Sequence, residues 1–388
     1  MDIESAFRNI PILPQHKPFL VVRSPGDPAR FFIDHVCSFG VASGTGLQAQ
    51  VMDAIVDILT TAGIKHIKVW VDDMISFRFP NNPTKPAWQE WTYSYDVDTI
   101  FRLTKDLGVP WKPGKCFEYA DRIVYVGFLW NLRERSVSLT DEKRLKYIEK
   151  LDNFRNTAGT NRAVSQQEAM KIHGALSHTT FVYTNGRAYL TNLSTFIASM
   201  DGPEPLPAAV NRDLSWWQDL LRIPRARSLT DRSKHTSDVW VDASTTWGIG
   251  IIIDNKWDAW ELIQDWKSRG RDIGWAEMIA LELACLYLEA LGYSNTNVVV
   301  HCDNTGVIGA YLKGKSGNAQ SNLSIRRMAV VCSAVNLGLL PEYVESAKNL
   351  ADQISRGRRY WGPRFDKNVL PWSKLPTEVR PFLKRSRD

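Results

Sequence analysis

NVVVHCDN, residues 297–304, reads as a buried strand that ends in an acid. The valine run suits the interior of an α/β sheet, and Asp303 follows at the carboxyl end of the run. On either side the pattern alternates. DVWVDAS (238–244) and GIGIIID (248–254) read as neighbouring strands, and AEMIALELACLYLEALG (276–292) and NLSIRRMAVVCSAVNLG (322–338) have helical periodicity. A strand pair followed by helix, strand and helix makes a compact α/β domain of about 125 residues.

Four acids stand at telling places in this frame. Asp242 interrupts a strand whose neighbours are apolar, and Asp303 closes the next one. Glu277 is expected in the first turn of the 276–292 helix, where the helix's positive end offsets its charge. Asp352 lies in NLADQISRG (349–357). Each has an ordinary reading alone, since helix starts favour Glu and strand ends often hold Asp. As a set they would converge on one sheet edge, where four carboxylates stay ionised only with cations among them.

The bulk properties fit that picture. The chain has 388 residues, enough for two or three domains, and its 44% hydrophobic and 23% charged residues suit a globular protein. It contains no apolar run of 18 residues, so no membrane partner is expected, and MDIESAFRNI is no secretory signal. Five scattered cysteines form no CxxC pair, which argues against a disulfide scaffold or structural zinc and for a reducing intracellular compartment, nucleus or cytoplasm. From Arg356 onward ten Lys or Arg face three acids, while the whole chain carries +6. With Tyr360, Trp361 and Phe365 interleaved, this basic tail could track a phosphate backbone; a solvated terminus or an import signal is the plainer reading.

VDAS, GIGI, AEMIALELA, VVVHCDNTGVIG and NLADQISRG, in that order over 236–357, together resemble the ribonuclease H domain of retroelement polyproteins. The pattern is nearest to retrotransposons whose enzyme ends in N-x-x-D-x-x-S-R. The resemblance implies that Asp242, Glu277, Asp303 and Asp352 hold two Mg²⁺ or Mn²⁺ ions, with Asn304 after the third acid and Arg356 touching substrate. Many members carry a histidine ten residues before the last acid; Glu342 stands there instead. KGKSGNAQSN (313–322) would be the mobile loop after the third acid, with Lys313 or Lys315 on substrate phosphates.

The amino-terminal part extends the resemblance to reverse transcriptases. VWVDDMISF (69–77) is similar to their catalytic hairpin turn, and IKHIKVWVDDMISF (64–77) reads as two strands at a tight turn. DIESAFRNIPI (2–12) looks like the earlier palm strand. By this likeness Asp2 and Asp72 would hold two further Mg²⁺ beside Asp73, and Phe7 would be the steric gate that selects deoxynucleotides. CSFGVASGTGLQAQVM (37–52) offers Gln48 to template or incoming base, with Thr45 where proline is frequent. WKPGKC (111–116) supplies Lys115, and YVGF (125–128) resembles the primer-grip hairpin.

Between these parts the periodicity is helical: Thr140 and Ser165 cap two helices, a third would span 186–199 and a fourth 213–221, with 226–238 as a polar linker. Further elements expected are helices over 47–63 and 98–108, a Pro/Asn-rich loop over 79–91 and a strand over 122–132. The fold implied is an α+β palm-like domain (1–135), a helical thumb/connection (136–235), an α/β ribonuclease H-like domain with a mixed sheet (236–357) and a basic tail (358–388).

A fingers region normally precedes the palm aspartate, whereas here Asp2 is the second residue and is expected to fray unless paired into a sheet. Three functions follow. One is a metal-dependent nuclease that cuts the RNA strand of RNA–DNA hybrids. Another is retained RNA-directed DNA polymerisation, calling for a second copy or a complementing subunit. The third is a non-catalytic nucleic-acid-binding scaffold. No P-loop, HExxH or Ser/His/Asp arrangement points elsewhere.

Overall fold

The computed structural model describes residues 1–26, 28–84, 90–159, 163–230, 232–263 and 265–386. Residues 85–89 of the expected loop, Asp231 of the expected linker and residues 387–388 of the tail lie outside the described residues. The chain divides into two compact units, Met1–Glu134 and Arg135–Asp388.

The first unit contains the antiparallel pair β1 (Val21–Arg23) and β2 (Phe31–Ile33), then α1 (Gly44–Thr61). β3 (Ile67–Trp70) and β4 (Asp73–Ser76) form the expected tight hairpin, with Trp70 opposite Asp73 and Val71 at a left-handed φ of 57° in the turn. α2 (Val97–Thr104) begins at a full capping box between Asp96 and Thr99 and ends before the 98–108 stretch does. β5 (Arg122–Tyr125) and β6 (Phe128–Asn131) are two strands, where 122–132 was read as one. The reason is local: Val126 and Gly127 both take positive φ, 49° and 76°, the backbone of a two-residue hairpin turn. Met52, Ile55 and Leu59 of α1, at helical spacing, pack with Ile3, Ile64, Met74 and Ile100 to make the core.

The amino terminus is tied into this unit, contrary to the expectation that it frays. The Met1 amine donates to Met74 O at 2.7 Å, Met74 N donates to Met1 O at 2.8 Å, and Lys112 N donates to Asp2 O at 2.9 Å. Asp2 therefore lies between two neighbouring segments, bridged to Asp73 on one side.

The second unit opens with β7 (Ser136–Leu139), α3 (Asp141–Gly159) and α4 (Gln166–Thr179). Thr140 Oγ1 accepts from Lys143 N at 3.2 Å, and Ser165 and Glu168 form a complete capping box. The stretch read as one helix over 186–199 is a 3₁₀ segment, Thr184–Leu190, followed by α5 (Thr191–Ser199). A Cβ on Gly186 would lie 2.1 Å from the Trp217 ring, so that bare backbone is where the buried indole sits. α6 (Ala208–Arg222) is longer than the 213–221 reading.

The polar stretch read as a linker is mostly strand. β8 (Ala226–Ser228) pairs with β7, and β9 (Ser233–Ala243) begins among serine, lysine and histidine. Its first residues are exposed, and they are held by backbone pairing of Ser233–His235 with Thr296–Val298, which side-chain polarity does not reveal.

β10 (Gly248–Ile253), β11 (Lys256–Leu262), α7 (Ile273–Ala290), β12 (Thr296–Cys302), α8 (Thr305–Lys313), α9 (Ala319–Val335), β13 (Leu337–Tyr343), α10 (Asp352–Ser355) and β14 (Leu383–Arg385) complete the unit. The sheet order is β13-β12-β9-β10-β11-β14. β12 runs parallel to β9 and β13, and the remaining pairs are antiparallel, so the sheet is mixed. Ile249, Ile251 and Ile253 join the buried cluster that includes α7 and α9 residues. Ile252 points the other way, to Ile354 of α10, Trp257 and Trp240.

The carboxy-terminal stretch, read as a basic tail that either tracks a phosphate backbone or is a solvated terminus or import signal, is built into this unit. Phe365, Leu370, Leu375, Val379 and Leu383 are buried in the main cluster, and β14 adds a sixth strand along β11. Two of its cations are consumed internally. Asp258 is fully buried on β11, with Arg364 Nη2 at 3.1 Å and Arg385 Nη2 at 2.6 Å, and it accepts a hydrogen bond from the Tyr287 hydroxyl. Asp258→Ala leaves two largely buried guanidiniums without their counter-ion and is expected to destabilise the unit by about 3–5 kcal/mol in urea denaturation. A change below about 0.5 kcal/mol would mean that the ion triad does not hold the terminal segment in place.

Candidate metal centre

β9 and β12 are parallel neighbours with Trp240 opposite His301. Asp242 and Asp303 each stand two residues further on, so they leave the same sheet edge on strands about 4.8 Å apart. Asp242 is buried within β9, and its partner across the antiparallel pair with β10 is Gly250. A Cβ on Gly250 would come within 2.7 Å of Ala351 O and Ser355 N. Only glycine lets α10 lie this close, and the close approach carries Asp352 to the edge. Ser355 Oγ then donates to Asp242 Oδ2, while Asn349 Nδ2 reaches Asp242 Oδ1 at 3.4 Å and Val241 O at 3.0 Å.

Glu277 arrives from α7, which packs against β9. The helix starts earlier than its apolar pattern suggests, because Asp272 accepts from Trp275 N at 2.8 Å as N-cap. Glu277 therefore lies in the second turn, which corrects the expectation that the first-turn dipole steadies it. It is buried, and its Oε2 has no hydrogen-bond partner. Carboxylate oxygens of Glu277 and Asp303 and the Cys302 sulfur lie within 4.8 Å of one another. Asp303 accepts from Ser346 Oγ, and Asp352 is gripped by Arg356 at 2.7–2.9 Å.

Burial pushes Asp242 up to about 7, with Asp303 and Asp352 adding to the rise against the Ser355 hydrogen bond. Burial likewise pushes Glu277 up to about 9, helped by the charges of Asp242 and Asp303. The Cys302 thiol, raised by burial to about 12, stays protonated and is a poor ligand. What remains is a set of carboxylate oxygens in one place, one of them without any donor. Those donors suit a hard divalent cation, which would supply the missing positive charge.

The other expected site residues divide between the units. Asn304 caps α8, its Oδ1 accepting from Val307 N at 3.1 Å. Lys313 and Lys315 are exposed and have no ion pair among the described residues. In the first unit, Asp2 and Asp73 face each other across a β-bridge and line a cleft of about 1200 Å³. Asp72 stands in the hairpin turn, and burial raises Asp73, with Asp72 and Asp2 contributing. Lys115, expected on substrate, forms an ion pair with Asp2 instead. Phe7 packs against Phe39 with ring centroids 4.9 Å apart and planes tilted by 48°, and it lies beside Gly44. Gln48 is buried with both amide atoms unpartnered. Sequence reasoning missed Gly250, Ser346, Asn349 and Ser355 as supports of the acids. Asn349 and Ser355 were visible in N-x-x-D-x-x-S-R, but nothing in the spacing shows which carboxylate they hold.

The sheet and its edge define this unit as a mixed α/β domain with a candidate divalent-cation centre. No protein-family model and no curated protein matches the chain. Among solved structures it is remotely similar to the foamy viral protease-reverse transcriptase. Against that protein's complex with RNA/DNA hybrid the identity is 14%, covering 88% of this chain and 43% of that one, with a TM-score of 0.46. Against its dRH form with double-stranded DNA the values are 16%, 88%, 56% and 0.43. The chain spans about half the length of these two structures.

Because the folded state holds Asp242 and Glu277 above their ordinary range, the metal-free unit binds protons that the unfolded chain does not. Their contribution to stability is present below about pH 4 and is lost as pH rises through about 7 and then about 9. Asp303→Asn removes one of the repelling charges while keeping an acceptor for Ser346. The metal-free variant is expected to melt above wild type at pH 8, with the gap closing at pH 5. Mn²⁺ should raise the wild-type melting temperature and leave the variant nearly unmoved; equal shifts in both proteins would place the ion elsewhere.

Proposed function

We propose that the Arg135–Asp388 unit is a divalent-metal-dependent nuclease of the ribonuclease H type, cutting the RNA strand of RNA–DNA hybrids. The observation that carries this reading is the meeting of Asp242, Glu277 and Asp303 at one sheet edge, with Asp352 brought beside them and Glu277 Oε2 without a donor. Preference for the RNA strand rests on the sequence resemblance. Asp242, Glu277, Asp303 and Asp352 would hold two Mg²⁺ or Mn²⁺ ions, which when bound supply activation of the attacking water and neutralisation of the leaving oxygen.

The chain's own groups prepare that chemistry. Ser355 and Asn349 fix the Asp242 carboxylate, and Ser346 fixes Asp303, so neither has to reorganise when substrate arrives. Arg356 orients Asp352 and leaves a cation at the rim. Glu342, where a histidine is frequent, pairs with Lys234 at 3.5 Å on an exposed strand end and brings no proton carrier to the edge. Intact RNA–DNA hybrid with excess Mg²⁺ should yield short RNA products. Glu277→Gln and Asp242→Asn should each lower the rate at least about a hundredfold. Hybrid left whole by wild type, or cleavage that survives both substitutions, overturns the proposal.

A second reading, RNA-directed DNA polymerisation by the first unit, is favoured by the anchored Asp2, its bridge to Asp73 and the cleft beside them. By the resemblance Asp2 and Asp72 would hold its Mg²⁺ ions. Its mark is primer extension lost on Asp73→Asn while RNA cleavage persists. Salt-sensitive binding of nucleic acid without either chemistry would leave the scaffold role.

A further inference from the structure

α7 and α9 pack against each other in the main buried cluster of the second unit, and two of the chain's five cysteines meet there. The Cys285 and Cys332 sulfurs lie 3.6 Å apart, and both thiols are free. Arg327 of α9 fixes the register of the two helices, holding Glu282 of α7 through hydrogen bonds of 2.5 and 2.7 Å about one turn away. Cys285 is fully buried, whereas Cys332 is partly exposed in the last turn of α9. The chemistry proposed at the acidic edge uses neither thiol.

The two sulfurs are not equivalent. The Tyr311 hydroxyl of α8 is hydrogen-bonded to Cys332, and the backbone of Leu339 on β13 holds that same hydroxyl. With Cys285 and Tyr311 both donating, the Cys332 sulfur is the acceptor of the trio. The hydrogen bond from Cys285 is the main reason that Cys332 is held below its ordinary pKa in spite of burial, with Tyr311 and the charge of Arg232 adding to it. The same hydrogen bond, together with burial, raises Cys285 well above the ordinary thiol range. The reachable sulfur thus carries the stabilised thiolate, and its neighbour waits protonated behind it. That is the division between an attacking and a resolving cysteine.

Closing the pair asks little of the fold. An S–S bond of about 2 Å requires the sulfurs to approach by roughly 1.5 Å. α9 ends at Val335, followed by the left-handed Asn336, so the movement falls in a terminal helical turn, the part of a helix that yields most easily. Tyr311 stands beside Cys332 and Cys285 is closed off from solvent, so a small oxidant suits the site better than a bulky disulfide.

We propose that Cys285 and Cys332 form a redox modification site, at which hydrogen peroxide converts the two thiols into a disulfide that ties α7 to α9. The Cys332 sulfur attacks one peroxide oxygen: the S–O bond forms, the O–O bond breaks, and the Cys332 proton leaves with the released hydroxide as water. The Cys285 sulfur then attacks the Cys332 sulfenic acid: the S–S bond forms, the S–O bond breaks, and the second hydroxide leaves with the Cys285 proton as water. The sulfurs together lose two electrons, which the peroxide takes up, and a dithiol reductant reverses the change. The link joins the helix that carries Glu277 and encloses the segment that carries Asp303, so it stiffens the frame of the acidic edge whether or not that edge cuts nucleic acid.

The test uses the reduced full chain, exposed to a small excess of hydrogen peroxide and then blocked with N-ethylmaleimide in denaturant. Peptide mass mapping should show Cys285 joined to Cys332, two hydrogens lighter than the reduced pair, and dithiothreitol should restore both thiols. The cross-linked protein should melt at least about 4 °C above the reduced form, because the bond closes a loop across a separation of 47 residues. Cys285→Ser, which removes the resolving thiol, should leave a sulfenic acid that dimedone labels at Cys332. Where that variant does not fold, the wild-type mapping decides. Both cysteines recovered as maleimide adducts after peroxide, or a cross-linked protein that melts with the reduced form, overturns the proposal.

Discussion

Carboxylates gathered in a buried place repel one another and lose their water, and the second unit meets that cost at two points of one sheet in two different ways. On β11, Asp258 is fully buried and its charge is answered by Arg364 and Arg385. On β9 and on the helix α7 packed against it, Asp242 and Glu277 are also buried, yet what meets them is a hydroxyl, an amide and the backbone of Ala243, with Glu277 Oε2 left without a partner. Hydrogen bonds of this kind orient a carboxylate without neutralising it. The first arrangement is closed by the chain's own cations; the second has none of its own at Glu277 and is the candidate place for a divalent ion.

The contrast explains how the terminal segment serves the site. Arg364 and Arg385 fasten 364–385 across the sheet, and β14 covers an edge that β11 would otherwise expose. α7 is buried against the sheet, and the parallel pairing of β9 with β12 brings their two acids out of the sheet in register. Gly250 then admits α10 at backbone distance. A site that depends on parallel register, one missing Cβ and three neutral donors tolerates little movement, so the expense of the ion triad is spent on precision at the other side of the sheet.

Much of this was legible in the chain itself. Apolar alternation gave β9, β10, β12 and the helices α7 and α9 because their burial is set by side chains. The four acids could be named because each ends or interrupts such a pattern. What the pattern hid was decided by backbone or by distant partners. Ser233–His235 looks like linker because its pairing uses main-chain groups only. The tail looks solvated because arginine counts as surface until its partner, Asp258, more than a hundred residues away, is known. Glu277 was placed one turn too early because Asp272, outside the apolar run, starts the helix.

The first unit offers a third answer to the same problem, and it bears on how that cleft should be understood. Asp2 and Asp73 face each other across a bridge, and positive charge beside them is provided by the chain: Lys115 pairs with Asp2 from an exposed position, and the Met1 amine lies within electrostatic reach of both carboxylates. The hydrogen bond to Asp2 is the main reason that the Lys115 ammonium is held more firmly protonated than usual. An exposed lysine is a displaceable counter-ion, unlike the buried guanidiniums at Asp258, because its solvation is largely intact in either position. A divalent cation at Asp2 would have to displace it, whereas at Glu277 no group stands in the way. The two acidic places thus differ in kind. At one the chain supplies its own counter-ion; at the other Glu277 Oε2 has no partner, which is why the proposed metal-dependent chemistry is placed first in the second unit.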